Sequence, residues 1–320
     1  MPEADDPTTD ADDLGAPTTR ARLVRLAALA RRTAPPLRRG RPLPGRGLEP
    51  GGRRDYAPGD DVRLVDWPAF ARLDRLLVRV TEALPDPRLD VLVDASPSTS
   101  CGRPSPRTRA ALAAASLAAV ATGRDVATTL WWVGEPEGHT VVRRPGELWR
   151  ALAFLASRLN SGAASEAPGP DDRAAAVARG PIAPTRLEAT AARLVGGGPR
   201  GAVVVVTDGL DPGVLPAATR LRTLGRDVLV LAPNPDQEFA PAAAAAALEA
   251  GEVVWVDAES GARQPGAYGP GTHAAVAAAR AARLDALATA LGAVGVPLER
   301  LGPRAPFEDA ARSMLQARGR

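Results

Sequence analysis

The chain has 320 residues, 45% of them hydrophobic but only 3% aromatic, so it can bury a sizeable core and must build it mainly from Ala, Val and Leu. Its 40 basic residues are all arginine and face 37 acidic ones, leaving a net charge of +3, a small excess for a dedicated nucleic-acid binder. The single Cys101 excludes an intramolecular disulfide, and the two distant histidines, His139 and His273, argue against a zinc site.

Residues 1–18 are polar and acidic, the composition of a disordered tail. They lack the basic-then-apolar order of a signal peptide, and no later run approaches the ~20 apolar residues that cross a bilayer, so the expected location is cytoplasmic. In RARLVRLAALARR, the spacing of Leu23, Leu26, Leu29 and Ala30 predicts a short amphipathic helix. It opens an Arg/Pro/Gly-rich arm over 19–52, whose remainder reads as an extended linker. Residues 53–88 read as a small β-rich segment packed on the main domain, with PGD as a tight turn and RLLVRVTE as a strand able to pair with the main sheet.

From residue 89 to 320 the pattern becomes rhythmic. Val-rich runs at 89–94, 126–133, 202–207 and 227–232 alternate with Ala- and Leu-rich helical stretches near 106–122, 146–159, 186–195 and 213–224. A helix near 273–292, a short strand VPLERL and a last helix near 306–318 follow. Strands that are apolar on both faces and alternate with helices predict a doubly wound α/β domain with a mostly parallel sheet. EGHTVVRRP leaves room only for a hairpin, so one edge strand is expected to be antiparallel. An insertion near 233–270, centred on VVWVD and DAESG, reads as a β excursion, with its Ala run as a packed helix.

In LDVLVDASPSTS, an apolar run ends in Asp94 followed by Ser96, Ser98 and Ser100, more oxygen than strand termination requires. Asp208 ends AVVVVTD, and open α/β sheets collect ligands at the carboxyl ends of their strands, so the two carboxylates are expected on one rim. Thr185, with Glu188 three residues on, stands at capping-box spacing before a helix. Together Asp94, Ser96, Ser98, Thr185 and Asp208 would make an all-oxygen shell for a hard cation, Mg²⁺ or else Mn²⁺ or Ca²⁺. The same residues also serve as ordinary turn and cap residues. The joint pattern resembles the metal-ion-dependent adhesion site of the von Willebrand factor A fold. That likeness implies direct metal contacts from Ser96, Ser98 and Thr185, contacts mostly through water from Asp94 and Asp208, and only a turn role for Ser100.

A second motif lies upstream, in RRDYAPGDDVRLVDWPAFARLDRLLVRVTE. Arg54, Tyr56, Gly59, Asp60, Arg63, Asp66, Trp67, Ala71 and Arg72 match the signature of the bacterial family known as domain of unknown function 58, which precedes a von Willebrand factor A-like domain. Many members begin with two membrane-spanning segments and have Met where this sequence has Thr99; the first departure bears on location. These residues read either as a partner-facing surface or as an Arg–carboxylate network around a buried Trp67 anchor.

The leading expectation is a non-enzymatic interaction module whose bound cation is completed by an acidic residue of a partner protein. The resemblance implies that the partner is a MoxR-type AAA+ ATPase and that the pair acts in protein-complex assembly or remodelling. With no lysine the chain has no Walker A motif and is not itself that ATPase. Two alternatives remain. One is a Mg²⁺-dependent phosphohydrolase with Asp94 as nucleophile and Arg103 or Arg107 offsetting charge. The other is binding of nucleic acid or an anionic surface through the arginines of residues 20–54.

Overall fold

The computed structural model describes residues 14, 16–33, 43–83, 88–101, 105–163, 186–195, 201–233, 251–258, 262, 263–269, 271–302, 306 and 308–310. Two compact units divide the chain: Pro35–Pro87 forms one, and Met1–Ala34 with Arg88–Arg320 forms the other. Residues 1–13 of the tail expected over 1–18, the Ala-run helix of the insertion, and most of the helix expected at 306–318 lie outside the described residues, whereas Pro17 and Thr18 of that tail already belong to a helix.

The larger unit is built on a six-stranded sheet. Its strands are β3 (Arg88–Asp94), β4 (Ala127–Val133), β5 (Gly138–Val142), β6 (Ala202–Val206), β7 (Asp227–Pro233) and β10 (Leu298–Leu301), in the order β10-β7-β6-β3-β4-β5. All neighbours pair in parallel except β4 and β5, the expected antiparallel hairpin at one edge. The chain winds outward from β3 through β4 to β5, then crosses back so that β6 lies on the other side of β3. That reversal is where an open sheet forms a crevice.

Strand pleating sends alternate residues to opposite faces. Leu92, Val203, Val205, Val228 and Val230 form one buried cluster with Leu187, Ala191 and Leu194 of a helix over Arg186–Val195, Val214, Ala217, Ala218 and Leu221 of one over Val214–Thr223, and Leu291 of one over Thr272–Ala293. In chain order these helices are α5, α6 and α7. The other face is met by α3 (Pro106–Gly123), which contacts β3, β4 and β6. Every residue of α3 from Arg109 to Gly123 is buried, because α1 (Pro17–Thr33) and α4 (Leu148–Ala163) also pack against it. An Ala-rich helix suits that position, since small side chains let three layers approach closely.

In α1, the helix expected at the start of the arm, Thr19, Leu23, Ala27 and Ala30 face inward while Leu29 is exposed. Leu23 and Ala30 of the expected stripe are thus buried and Leu26 is half-buried, while Leu29 falls outside it, and the helix belongs to the larger unit rather than to a linker. The rest of the arm also differs from expectation. Leu43–Asp55 forms strand β1, paired antiparallel with β2 (Leu77–Ala83) through two register shifts. Strand β2 therefore pairs within the smaller unit and not with the main sheet. Between them lie a 3-10 turn (Val62–Leu64) and α2 (Trp67–Leu73). The described part of the insertion holds a two-stranded antiparallel ribbon, β8 (Gly251–Val256) with β9 (Arg263–Tyr268), as its VVWVD core predicted. Among the described residues no helix is long and apolar enough to cross a membrane.

The tightest approach between α1 and α3 is at Gly123, where an added Cβ would collide with the Ala27 carbonyl. Gly123→Ala is expected to destabilise the protein by about 1–3 kcal/mol by forcing the helices apart, read as a lower denaturant midpoint. A midpoint equal to wild type would show that α1 is not packed there.

Candidate functional site

Strand β3 ends in Asp94, and Val93 is in register with Val206, the last residue of β6. The residues that follow the two strands therefore emerge side by side. Asp94 and Asp208 are each 1% exposed. One oxygen of Asp94, Oδ1, accepts the Ser96 backbone N–H at 3.0 Å, and Oδ2 accepts the Thr207 hydroxyl at 2.6 Å. Thr207 Oγ1 in turn accepts the Gly209 N–H at 3.0 Å, which ties the second loop to the first carboxylate. The turn after β6 is sharp: Gly209 has φ +79°, and an added Cβ there would press on Leu284. Asp208 Oδ1 accepts the Leu210 N–H at 3.0 Å, but its Oδ2 is buried without a hydrogen-bond partner among the described residues.

The hydroxyls sit on the turn after Asp94. Ser96 caps a 3-10 turn over Pro97–Ser100, and Ser96 Oγ lies 3.2 Å from Ser98 Oγ. Ser100 Oγ donates to the Pro97 carbonyl at 2.6 Å, the turn role expected of it. Asp94, Ser96, Ser98 and Asp208 are thus placed on two adjoining loops of one rim. Thr185 lies outside the described residues; α5 begins immediately after it, at Arg186. Two contributors were missed. Thr207 was read only as part of a strand, although a hydroxyl residue directly before a strand-ending aspartate was the available signal. Thr99, 1% exposed, fixes the first turn by donating to the Ser96 carbonyl at 2.7 Å.

Burial, and then the neighbouring charge of Asp208, push the Asp94 carboxyl up from 3.8 to about 7, against the pull of the Thr207 and Ser96 hydrogen bonds. Both features mark a cluster short of positive charge: a carboxylate that resists ionising, and a buried carboxylate oxygen without a donor. Among the described residues there is no group of three or more His, Cys, Asp or Glu side chains, so the donors on this rim are two carboxylates and hydroxyls. Such a set fits a hard divalent cation and is a poor match for zinc.

The upstream motif has the expected Arg–carboxylate pairing, at Arg54 and Asp60, but not the buried Trp67 around which it was expected. Arg54 makes two hydrogen bonds to Asp60, at 2.5 and 2.6 Å, and Asp60 also accepts the Ala57 N–H, so the ion pair closes the turn around Gly59, whose φ is +104°. The Arg54 hydrogen bonds hold the Asp60 carboxyl down to about 2. Asp66 is buried, caps α2 through the Ala69 N–H at 3.1 Å, and pairs with Arg53 at 2.6 Å rather than with Arg54, Arg63 or Arg72. The expected anchor, Trp67, is 57% exposed and meets Phe70 edge-on at 6.2 Å. The cap explains this: with Asp66 starting the helix, Val65 and Ala69 face inward, and Trp67 falls on the outer side. Tyr56 is half-buried, Arg63 and Ala71 are exposed, and Arg72 donates to the Pro68 carbonyl of its own helix.

The model of the family described as protein of unknown function DUF58 matches residues 52–266, more than half of the chain. The chain belongs to the DUF58 family. No curated protein matches it. Solved structures similar to this DUF58 chain include an aerotolerance-related membrane protein from Bacteroides fragilis, 17% identical, covering 72% of this chain and 98% of that one with a TM-score of 0.41. Another is the conserved hypothetical protein BatB from Bacteroides thetaiotaomicron, 13% identical, covering 73% and 97% of the two chains with a TM-score of 0.40.

Because the folded-state carboxyl of Asp94 titrates near 7 and the unfolded one near 3.8, the folded protein retains a proton over that interval which the unfolded chain has released. The group's stabilising contribution is therefore complete below pH 3.8 and is lost as pH rises through 7. In chelator, wild-type unfolding free energy should fall more steeply between those limits than that of Asp94→Asn, which has no proton to lose. Parallel pH profiles for the two proteins would exclude a buried, titrating Asp94.

Proposed function

We propose that this DUF58 chain is a non-enzymatic protein-interaction module, von Willebrand factor A-like in its main domain, that binds a divalent cation, Mg²⁺ first, at Asp94, Ser96, Ser98 and Asp208 with Thr185. The observation that supports this most is the buried, donorless Asp208 Oδ2 beside a second buried carboxylate. A cation would relieve both, and a shell rich in neutral hydroxyls leaves it charge enough to attract an anionic oxygen from outside. The group's chemistry when bound is that of a docking point for a partner's Asp or Glu. Family resemblance makes that partner a MoxR-type AAA+ ATPase and the process protein-complex assembly or remodelling.

Hydrolysis has less support. Both oxygens of Asp94 already accept hydrogen bonds, which disfavours it as a nucleophile, and the guanidinium of Arg107 donates to the loop itself. Arg103 lies outside the described residues.

Calorimetric titration should show one Mg²⁺ site in the wild type that is lost in Asp94→Ala, with the fold retained because removing this carboxylate also removes its burial cost and its repulsion with Asp208. A pull-down of the ATPase encoded nearest to this chain should then fail with EDTA and with Asp94→Ala alike. Binding indifferent to both would sink the docking role.

The exposed Trp67, flanked by Val62 at 60%, Leu64 at 42% and Leu73 at 60% exposure, favours the partner-facing reading of the upstream motif. Trp67→Ala is expected to change stability by less than ~0.5 kcal/mol, as an exposed position does, while weakening partner capture at least ~10-fold. A large loss of stability with capture intact would return Trp67 to the role of an internal anchor.

A further inference from the structure

Arg107, in the first turn of α3, reaches back to the turn that follows Asp94. Its Nε donates to Thr99 Oγ1 at 3.1 Å, and its Nη2 donates to the carbonyls of Ser96 at 2.8 Å and Ala95 at 3.2 Å. The Ser96 carbonyl thereby accepts from Arg107, from the Thr99 hydroxyl at 2.7 Å and from the Thr99 N–H at 3.1 Å. The second loop is treated the same way from α7: Arg283 donates to the Leu210 carbonyl at 2.8 Å, and Arg280 to that of Asp208 at 3.4 Å. On both loops guanidinium groups thus hold backbone carbonyls, those of Ala95 and Ser96 on one and of Asp208 and Leu210 on the other, which would otherwise compete as cation donors. What remains for a cation is the carboxylates and hydroxyls.

From this geometry we infer that Arg107 is a positioning residue of the cation site: it fixes the peptide planes of Ala95 and Ser96, and so the Ser96 N–H against Asp94 and the separation of the Ser96 and Ser98 hydroxyls. The inference rests on the cation-binding reading given above. It also gives this arginine a task other than offsetting charge on a phosphoryl group. Planarity matters here, because two nitrogens of one rigid fork serve three acceptors, an arrangement no lysine ammonium reproduces. Partners that orient direct ligands commonly account for 10- to 100-fold in metal affinity.

The sign of the effect separates this role from a background charge. A guanidinium acting only as a nearby positive charge repels the cation, so its removal would tighten binding. A positioning residue does the opposite. Mg²⁺ titration of the full-length chain should therefore show binding ~10-fold weaker in Arg107→Ala, and weaker also in Arg107→Lys, which keeps the charge but not the fork. Thr99→Val, which removes the relaying hydroxyl at nearly constant volume, should weaken binding in the same direction and serves where Arg107→Ala fails to fold. Binding within twofold of wild type in these variants, with or without a lower melting temperature, overturns the inference, as does tighter binding in Arg107→Ala. If the wild type itself takes up no Mg²⁺, the cation reading falls, and amide exchange at Thr99 and Cys101 in cation-free protein then decides the loop claim alone. Exchange at least ~10-fold faster in Arg107→Ala sustains it, and unchanged exchange removes it.

Discussion

Two carboxylates buried side by side at the ends of adjacent strands set the terms for the rest of the rim. Taking one ionised carboxylate out of water is costly, and a second beside it adds repulsion. The molecule answers within each loop: Thr207 and the Ser96 amide serve Asp94, and the Leu210 amide serves one oxygen of Asp208. The other oxygen is left without a donor among the described residues. A fold that only needed to end two strands could leave such residues in water, so their burial is the feature on which the proposed cation site rests.

The sheet makes this possible through parallel register. Because β3 and β6 run the same way and the last residue of β6, Val206, is in register with Val93, one residue before the end of β3, the two loops leave the sheet at nearly the same height. Helices on the outer sides then complete the arrangement, with Arg107 from α3 and Arg280 and Arg283 from α7 fastening loop carbonyls. The Arg54–Asp60 pair works similarly on a small scale, closing a turn that glycine alone makes conformationally accessible.

How much of this was legible in the residues depends on which forces shaped each part. The strands at 89–94, 202–207 and 227–232 were readable because both of their faces are buried, which leaves an unbroken apolar run, and the aspartates that end two of them located the rim. Strand β1 was not readable. A two-stranded ribbon takes its hydrogen bonds from its partner, so LPGRGLEPGGRRD can be a strand despite its Pro and Gly. Trp67 was misjudged because an indole suggests burial, whereas the Asp66 cap sets the rotation of α2 and turns that position outward. Arg107 reaches a residue 8 positions back and Thr207 one 113 positions back, contacts that local patterns do not record; the trace of Thr207 in the sequence was its place directly before Asp208.

The larger unit is discontinuous in the chain: α1 comes before the smaller unit, and the sheet comes after it. During synthesis α1 therefore emerges well before the partner it packs on, because its inner residues Leu23 and Ala27 need α3, whose final glycine lies about a hundred residues further on. The smaller unit, Pro35–Pro87, is a separate compact unit and does not have to wait for α3. The order of assembly is thus reversed at the N-terminus: the insert can close first, the sheet and α3 next, and the leading helix docks last as a clasp on an already layered body.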